Sequence, residues 1–245
     1  MKLIRTLCLA FSMYSRIPMP ILEYTQEDMR YTFLAFPLVG VVIATLEYGW
    51  FLICGRTGIG TSLYAALAAA IPVCITGGFH MDGYLDTTDA LSSHREREKK
   101  LEILKDSHVG SFAVIGLCLL VIAQVALFAS VPAGQSSRIL LFIPAVSRCG
   151  SALAVTVLKP MSTSQYAGQK KPKSHVAVLI AMTVLLTAAG FLLCGRYGFA
   201  LTGCLAGYVL ALRRAYRSLD GMSGDVAGYA LTIGELCAVA VYALI

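Results

Sequence analysis

Residues 110–131 read GSFAVIGLCLLVIAQVALFASV, 22 positions without a charged side chain. A helix that crosses the hydrocarbon core of a bilayer needs ~17–25 mainly apolar residues, and this run supplies them. Working outward, segments of the same character stand at 33–54, 59–79, 138–158, 175–194, 197–212 and 229–245, of which 197–212 is short. The first fourteen residues, MKLIRTLCLAFSMY, predict an additional amphipathic helix that is interfacial or half-spanning. Hydrophobic residues make up 57% of the 245 and charged ones only 14%, with a mean hydropathy of +0.72. A soluble domain would carry about a quarter charged residues. The expectation is an all-α polytopic membrane bundle of about seven transmembrane helices, built as one domain over 1–245.

Basic residues set the orientation. With the N-terminus cytoplasmic, the inward segments hold Lys2, Arg5, Arg16 and Arg30, then Arg95, Arg97, Lys99, Lys100 and Lys105. They continue with Lys159, Lys170, Lys171 and Lys173, and end with Arg213, Arg214 and Arg217. Only Arg56, Arg138 and Arg196 fall on the opposite side, and Arg148 lies within a span. This bias explains the net charge of +6 without a nucleic-acid partner; the partner it implies is the lipid bilayer, here the cytoplasmic (inner) membrane of a bacterium. The N-terminal run has no small-residue cleavage site and leads into RIPMP, so it is expected to be retained. The eight cysteines lie in or beside apolar segments, form no CxxC pair and read as small hydrophobes. Outward loops, near 56–58, 132–137 and 195–197, are short, whereas the inward ones at 80–109, 159–174 and 213–228 are long. Long connections in a compact chain tend to be functional, so chemistry is expected on the cytoplasmic face. Within the first long loop, HREREKKLEILKD reads as an amphipathic helix with Leu101 and Leu104 on one side.

Upstream of the 110–131 run, residues 77–91 read GGFHMDGYLDTTDAL, with Asp82, Asp86 and Asp89 and no lysine or arginine among them. On a helix the spacings i, i+4 and i+7 put all three carboxylates on one face. Three like charges there call for a compensating cation, and a hard divalent ion such as Mg²⁺, bridging carboxylates to phosphates, is the usual one. Gly77, Gly78 and Gly83 would allow a phosphate or a backbone to come close. The plainer alternative is a set of capping and turn residues, with Asp82 before Gly83 in a turn and Asp86 or Asp89 capping the next segment.

Two further constellations face the same side. Asp106 could add a ligand and Ser107 could donate to a phosphate oxygen, although both are also ordinary helix N-caps. The segment LDGMSGDVAG at 219–228 carries Gly221, Gly224 and Asp225, and its backbone N–H groups at a helix start suit an anion. Arg213, Arg214 and Arg217 stand just upstream as phosphate clamps; the alternative is a flexible loop after a basic flank. Within the spans, Glu47, Arg148 and Glu235 are ionisable, and Arg148 is expected to pair with Glu235. His94 and His175 read as surface residues. His80 and His108 lie beside acidic groups and could orient substrate or move a proton, His80 being the stronger candidate.

From GGFHMDGYLDTTDAL through REREKKLEILKDSHVGSFAVIGL, the chain closely resembles the cobalamin synthase family, the adenosylcobinamide-GDP ribazoletransferases. SRIPMP with FPLVG, SRCG around Arg148, and SGDVAGYALTIGEL resemble further family segments, so the likeness covers most of the chain. It departs at Ala90 and Asp220, where glycine is common, at His108, where arginine often follows Asp-Ser, and after Pro160, where an arginine is expected. The resemblance implies an integral membrane enzyme that requires Mg²⁺. A ribose hydroxyl of α-ribazole, or of its 5′-phosphate, attacks the cobinamide-linked phosphorus of adenosylcobinamide-GDP, and GMP leaves. On this reading Asp82, Asp86 and Asp89 hold metal, and one of them or His80 takes the proton. Asp225, with Gly221 and Gly224, holds metal or the guanosine diphosphate. Arg16, Arg148, Arg213, Arg214 and Arg217 join Asp106 and Ser107 in binding substrate. A homo-oligomer, or association with other enzymes of cobalamin assembly, is compatible with it.

Other readings fit less well. CDP-alcohol phosphotransferases also begin with Asp-Gly but need Ala-Arg soon after and a later Asp-x-x-x-Asp, which is missing here. Intramembrane prenyltransferases use two Asp-x-x-Asp-type motifs, whereas the second loop here has only Asp220 and Asp225. A transporter would place polar residues and broken helices near the midplane, but the acids here gather at one face.

Overall fold

The computed structural model describes residues 2–20, 22–23, 25–131, 137–162, 164 and 172–245. The described chain is helical throughout its regular structure. Helix α1 is Lys2–Tyr14, α2 Gln26–Thr57, α3 Thr61–Thr76, α4 Phe79–Ser92 and α5 Arg97–Ile103. After them come α6 Ser111–Ala129, α7 Ile143–Val157, α8 Lys173–Cys194, α9 Phe199–Leu219 and α10 Gly224–Leu244. Two short 3₁₀ turns, Ser137–Leu141 and Gly195–Gly198, precede α7 and α9. The expected outward loop at 132–137, apart from Ser137, lies outside the described residues, as do Lys170 and Lys171.

Five helical stretches among the described residues are long and apolar enough to cross a membrane: Tyr31–Thr57, Ser111–Ala129, Ser137–Val157, Lys173–Leu219 and Gly224–Leu244. The pair α3–α4 makes a sixth only if counted across its 98° bend. Seven spans are therefore not reproduced one for one. The stretch Lys173–Leu219 contains both α8 and α9, and the chain turns between them, because Gly190 of α8 meets Leu201 of α9. The span expected at 59–79 ends at Thr76, where Gly77 (φ 65°) and Gly78 (φ 84°) both take left-handed backbone that other residues adopt at a cost. Beyond this glycine break the chain forms α4 rather than a loop. Helix α4, fourteen residues with three aspartates, turns sharply away from α3, so the pair forms a broken span or a re-entrant element rather than one straight crossing.

Burial sorts the helices into an interior and a rim. Helix α7 is buried on almost every side, and α10 packs against α9, α4 and α7. Helices α6 and α8 instead expose large apolar side chains, such as Leu119, Ile122, Leu185 and Leu192. Contiguous apolar surface of this kind is uncommon on a soluble protein and suits acyl chains. Helix α1 lies against the start of α2, held by Arg5 Nη2 to Asp28 Oδ2 at 3.2 Å. Asp28 also completes a capping box with Thr25, which fixes where α2 begins. All eight cysteines are free thiols.

Two placements bear on the expectations. His175 is buried rather than at the surface, in the first turn of α8 with its ring 5.2 Å from that of Tyr31. Arg148 is 1% exposed and forms an ion pair with Glu235, Nη1 to Oε1 2.6 Å, so the expected pair is present. Arg148 also donates to the Pro144 carbonyl at 2.9 Å. Committed in this way inside the bundle, it does not share the surface that carries the aspartates.

Candidate active site

Helix α4 carries all three motif aspartates at the spacing the sequence set, with Asp82 exposed and Asp86 and Asp89 half-buried. A fourth acid is brought to them by a close helix crossing. A Cβ on Gly83 would lie 2.7 Å from Asp225 Cα, and one on Gly228 would lie 2.9 Å from the His80 carbonyl oxygen. The α4 and α10 backbones thus approach as only glycine permits, and Asp225, in the first turn of α10, lands beside the α4 acids. Ser223 caps that turn, accepting from Val226 N–H at 3.2 Å, and its hydroxyl reaches Asp225 Oδ2 at 3.4 Å.

Asp86 senses the other three carboxylates. Asp86 is pushed up to about 6, first by burial and then by the charges of Asp82, Asp225 and Asp89. No lysine or arginine among the described residues forms an ion pair with any of the four. This is the uncompensated acidic cluster expected of a cation site. Among the described residues, however, no three His, Cys, Asp or Glu side chains already stand as a closed cage around one ion. An open set of carboxylate oxygens still fits Mg²⁺, which usually keeps several waters and binds through one or two carboxylates plus substrate phosphates.

Asp89 has a second task. Its Oδ1 accepts from Ala113 N–H at 3.3 Å, and Gly110, the N-cap of α6, leaves room for the carboxylate because it has no Cβ. Asp89 therefore supplies, from another helix, the capping oxygen that Gly110 lacks. The capping alternative thus describes Asp89, though not Asp82. It does not describe Asp106 or Ser107, which precede the cap; Asp106 instead folds onto His108, accepting from its backbone N–H at 3.0 Å.

His80 is 6% exposed, and its ring stands 5.5 Å from that of Phe36 and 5.4 Å from that of Phe79. Both ring nitrogens are buried with no partner among the described residues. His80 lines a small cleft together with Tyr14, Phe33, Ser151 and Gly224. So placed, His80 is sequestered under the acids rather than open to solvent with them.

The basic candidates lie on elements next to α4 and α10. Arg16 lays its side chain across Gly77 at the α3–α4 elbow, and its backbone N–H donates to the Ile75 carbonyl at 2.8 Å. Arg213, Arg214 and Arg217 lie in the last turns of α9 rather than in a loop, without a carboxylate partner among the described residues. Gly221 is not at the surface; it is buried against Met161, which donates its N–H to the Met222 carbonyl at 3.0 Å. That clamp holds the 159–161 segment to the turn before α10. A second clamp was not evident in the sequence: Arg97 of α5 pairs with Asp220 at 3.2 Å, and Lys100 donates to Ser218 at 2.9 Å. Also unforeseen is the stacked pair Tyr84–Tyr229, 5.8 Å between centroids at 16°, which lies along the α4–α10 contact.

Residues 6–243 match the protein family described as cobalamin-5-phosphate synthase. The chain belongs to that family. It is 38% identical, over 97% of its length and 93% of the relative's, to an adenosylcobinamide-GDP ribazoletransferase of Lachnoclostridium phytofermentans. It is 32% identical to one of Clostridium perfringens, with 97% and 96% covered, and 32% identical to one of Listeria monocytogenes, with 98% and 100% covered. No solved structure matches. The α4–α10 crossing explains how the aspartate motif meets Asp225.

Proposed function

We infer that this chain is an adenosylcobinamide-GDP ribazoletransferase, joining adenosylcobinamide-GDP to α-ribazole or its 5′-phosphate in the last assembly step of coenzyme B12. The observation that carries the reading is the convergence of Asp82, Asp86 and Asp89 with Asp225 at one helix crossing, with Arg16 at the α3–α4 elbow and the α9 arginines without an acid partner among the described residues. Such a surface complements a diphosphate and its counter-ion.

The transfer is a displacement at phosphorus. The ribose hydroxyl oxygen forms a bond to the cobinamide-linked phosphorus, the bond from that phosphorus to the GMP oxygen breaks, and the hydroxyl proton passes to one of the site carboxylates. One or two of Asp82, Asp86 and Asp225, together with substrate phosphates, would hold Mg²⁺, which would supply charge neutralisation to the phosphoryl oxygens. Asp89, bound to the α6 N-terminus, orients α4 and contributes negative potential. Arg16 at the elbow and Arg213, Arg214 and Arg217 on α9 bind phosphate oxygens and fix the substrate for in-line attack. The distribution of lysine and arginine supports a cytoplasmic N-terminus and a site facing the cytoplasm from the inner membrane.

The test uses membranes containing the full chain, given adenosylcobinamide-GDP, Mg²⁺ and either α-ribazole or its 5′-phosphate, with GMP release followed. Release that EDTA abolishes and Mg²⁺ restores is expected. Asp82→Asn and Asp86→Asn should each lower it by roughly 10²-fold or more while leaving membrane insertion unchanged. No release from folded wild-type protein overturns the reading, and near-normal turnover in either variant removes that residue from the metal site.

A further inference from the structure

Glu47 lies in the spanning part of α2, is 5% exposed and makes no hydrogen bond to any described residue. It lines a small cleft together with Pro72 of α3, Gln124 of α6, Pro144 of α7 and Glu235 of α10. Glu235 sits ten residues beyond Asp225 on α10, a rise of about 15 Å, so this cleft is separate from the aspartate site.

The charges in the cleft do not balance. Glu235 is already committed: its Oε1 accepts from Arg148 Nη1 at 2.6 Å and from Ser147 Oγ at 2.7 Å. Arg148 is the one cation at the cleft among the described residues, against two carboxylates. A lone carboxylate in an apolar interior costs more than the whole net stability of a fold. Glu47 therefore needs a positive charge of its own, and the described residues supply none. The titratable groups that sense Glu47 are Tyr64 of α3, Arg148 of α7 and Glu235 of α10; α6 adds only the uncharged Gln124. The hydroxyl of Tyr64 is buried without a partner among the described residues. The neutral oxygens of Tyr64 and Gln124 beside one carboxylate suit a small hard cation, and the cleft has space for about one water-sized occupant.

We propose that this cleft binds a single monovalent cation, with Glu47 as its charged ligand, the occupant being either a proton on the carboxyl or a sodium ion. Arg148–Glu235 forms the fixed, internally neutral wall of the site, and Glu47 the exchangeable part. Occupancy makes the stability of the bundle depend on the ion.

Thermal unfolding of the full chain in detergent, with wild type compared to Glu47→Gln, tests this. The glutamine keeps the shape and cannot hold a cation. If sodium is the occupant, the wild-type midpoint rises by several degrees when NaCl replaces choline chloride at equal ionic strength, and the variant's does not move. If a proton is the occupant, sodium has no effect; the wild-type midpoint falls as pH rises, because a bare carboxylate is then left in the interior, and the variant's does not fall with it. Identical dependence on sodium and pH in both proteins overturns the proposal. Should the variant not be recovered, dicyclohexylcarbodiimide labelling of wild-type Glu47, read by peptide mass spectrometry, replaces it. Labelling slowed by sodium or by raised pH supports the site, and labelling absent or indifferent to both overturns it.

Discussion

Asp89 and Asp82 belong to the same motif but have different surroundings. Asp82 is exposed and accepts no hydrogen bond from another helix among the described residues, whereas Asp89 Oδ1 closes the N-terminus of α6 through Ala113 N–H. An asparagine at 89 keeps the accepting oxygen, and an alanine does not. Asp89→Asn is therefore expected to unfold within about 0.5 kcal/mol of wild type, whereas Asp89→Ala should lose ~1 kcal/mol, the usual cost of a deleted cap. If capping is the main task of Asp89, Asp89→Asn keeps GMP release within a few-fold of wild type, while Asp82→Asn loses it. Equal loss in the two asparagine variants would show that Asp89 is also a metal ligand. Asp220 makes a related point: it ends α9 with φ 54°, in the left-handed region where aspartate and asparagine are the tolerated alternatives to glycine. That is the position where the family commonly has glycine, so the departure keeps the backbone and adds a carboxylate, which Arg97 then meets.

At the scale of the elements, the site exists because α4 and α10 touch through glycine. A methyl group at Gly83 would meet Asp225 backbone, which has no flexible end to move aside. Gly83→Ala is expected to destabilise the protein by about 1–3 kcal/mol and to lower activity by more than the stability loss explains, because it separates Asp225 from Asp82 and Asp86. Gly150→Ala is the control: its Cβ would find Leu205 at 3.7 Å, an ordinary contact, and should leave both readouts near wild type. Thermal unfolding together with GMP release separates the two cases. This contact also marks the limit of what a one-dimensional reading could reach. The i, i+4, i+7 spacing and the apolar runs are local, and they were legible because helix geometry repeats within a few residues; the Gly77–Gly78 break was not, because the apolar run reads on through it to 79. Gly83 was readable only as a place where something comes close; that the neighbour is Asp225, far along the chain, is a property of packing. Likewise α9 extends through the arginines to Leu219, and α10 begins at Gly224 rather than near 229, because Ser223 caps it. The polar composition of that region resembled a loop.

Across the whole molecule, the Arg148–Glu235 pair is the polar centre around which the apolar bundle closes. Its partners come from α7 and α10, the two most buried spans, and Arg148 also lies 5.9 Å over the Phe36 ring of α2. Removing one member leaves the other as an uncompensated buried charge, which typically costs about 3–5 kcal/mol, whereas replacing both with apolar groups of similar volume is often neutral or better. Arg148→Met and Glu235→Leu are each expected to lower the unfolding midpoint in detergent strongly, and the double variant to recover most of the loss. GMP release discriminates further. If Arg148 acts only inside the bundle, the double variant regains activity along with stability. If instead it reaches substrate, the double variant is stable and inactive. The first outcome is the one the geometry favours, since the guanidinium is 1% exposed and its Nη1 is shared among Glu235, Ser147 and the Pro144 carbonyl.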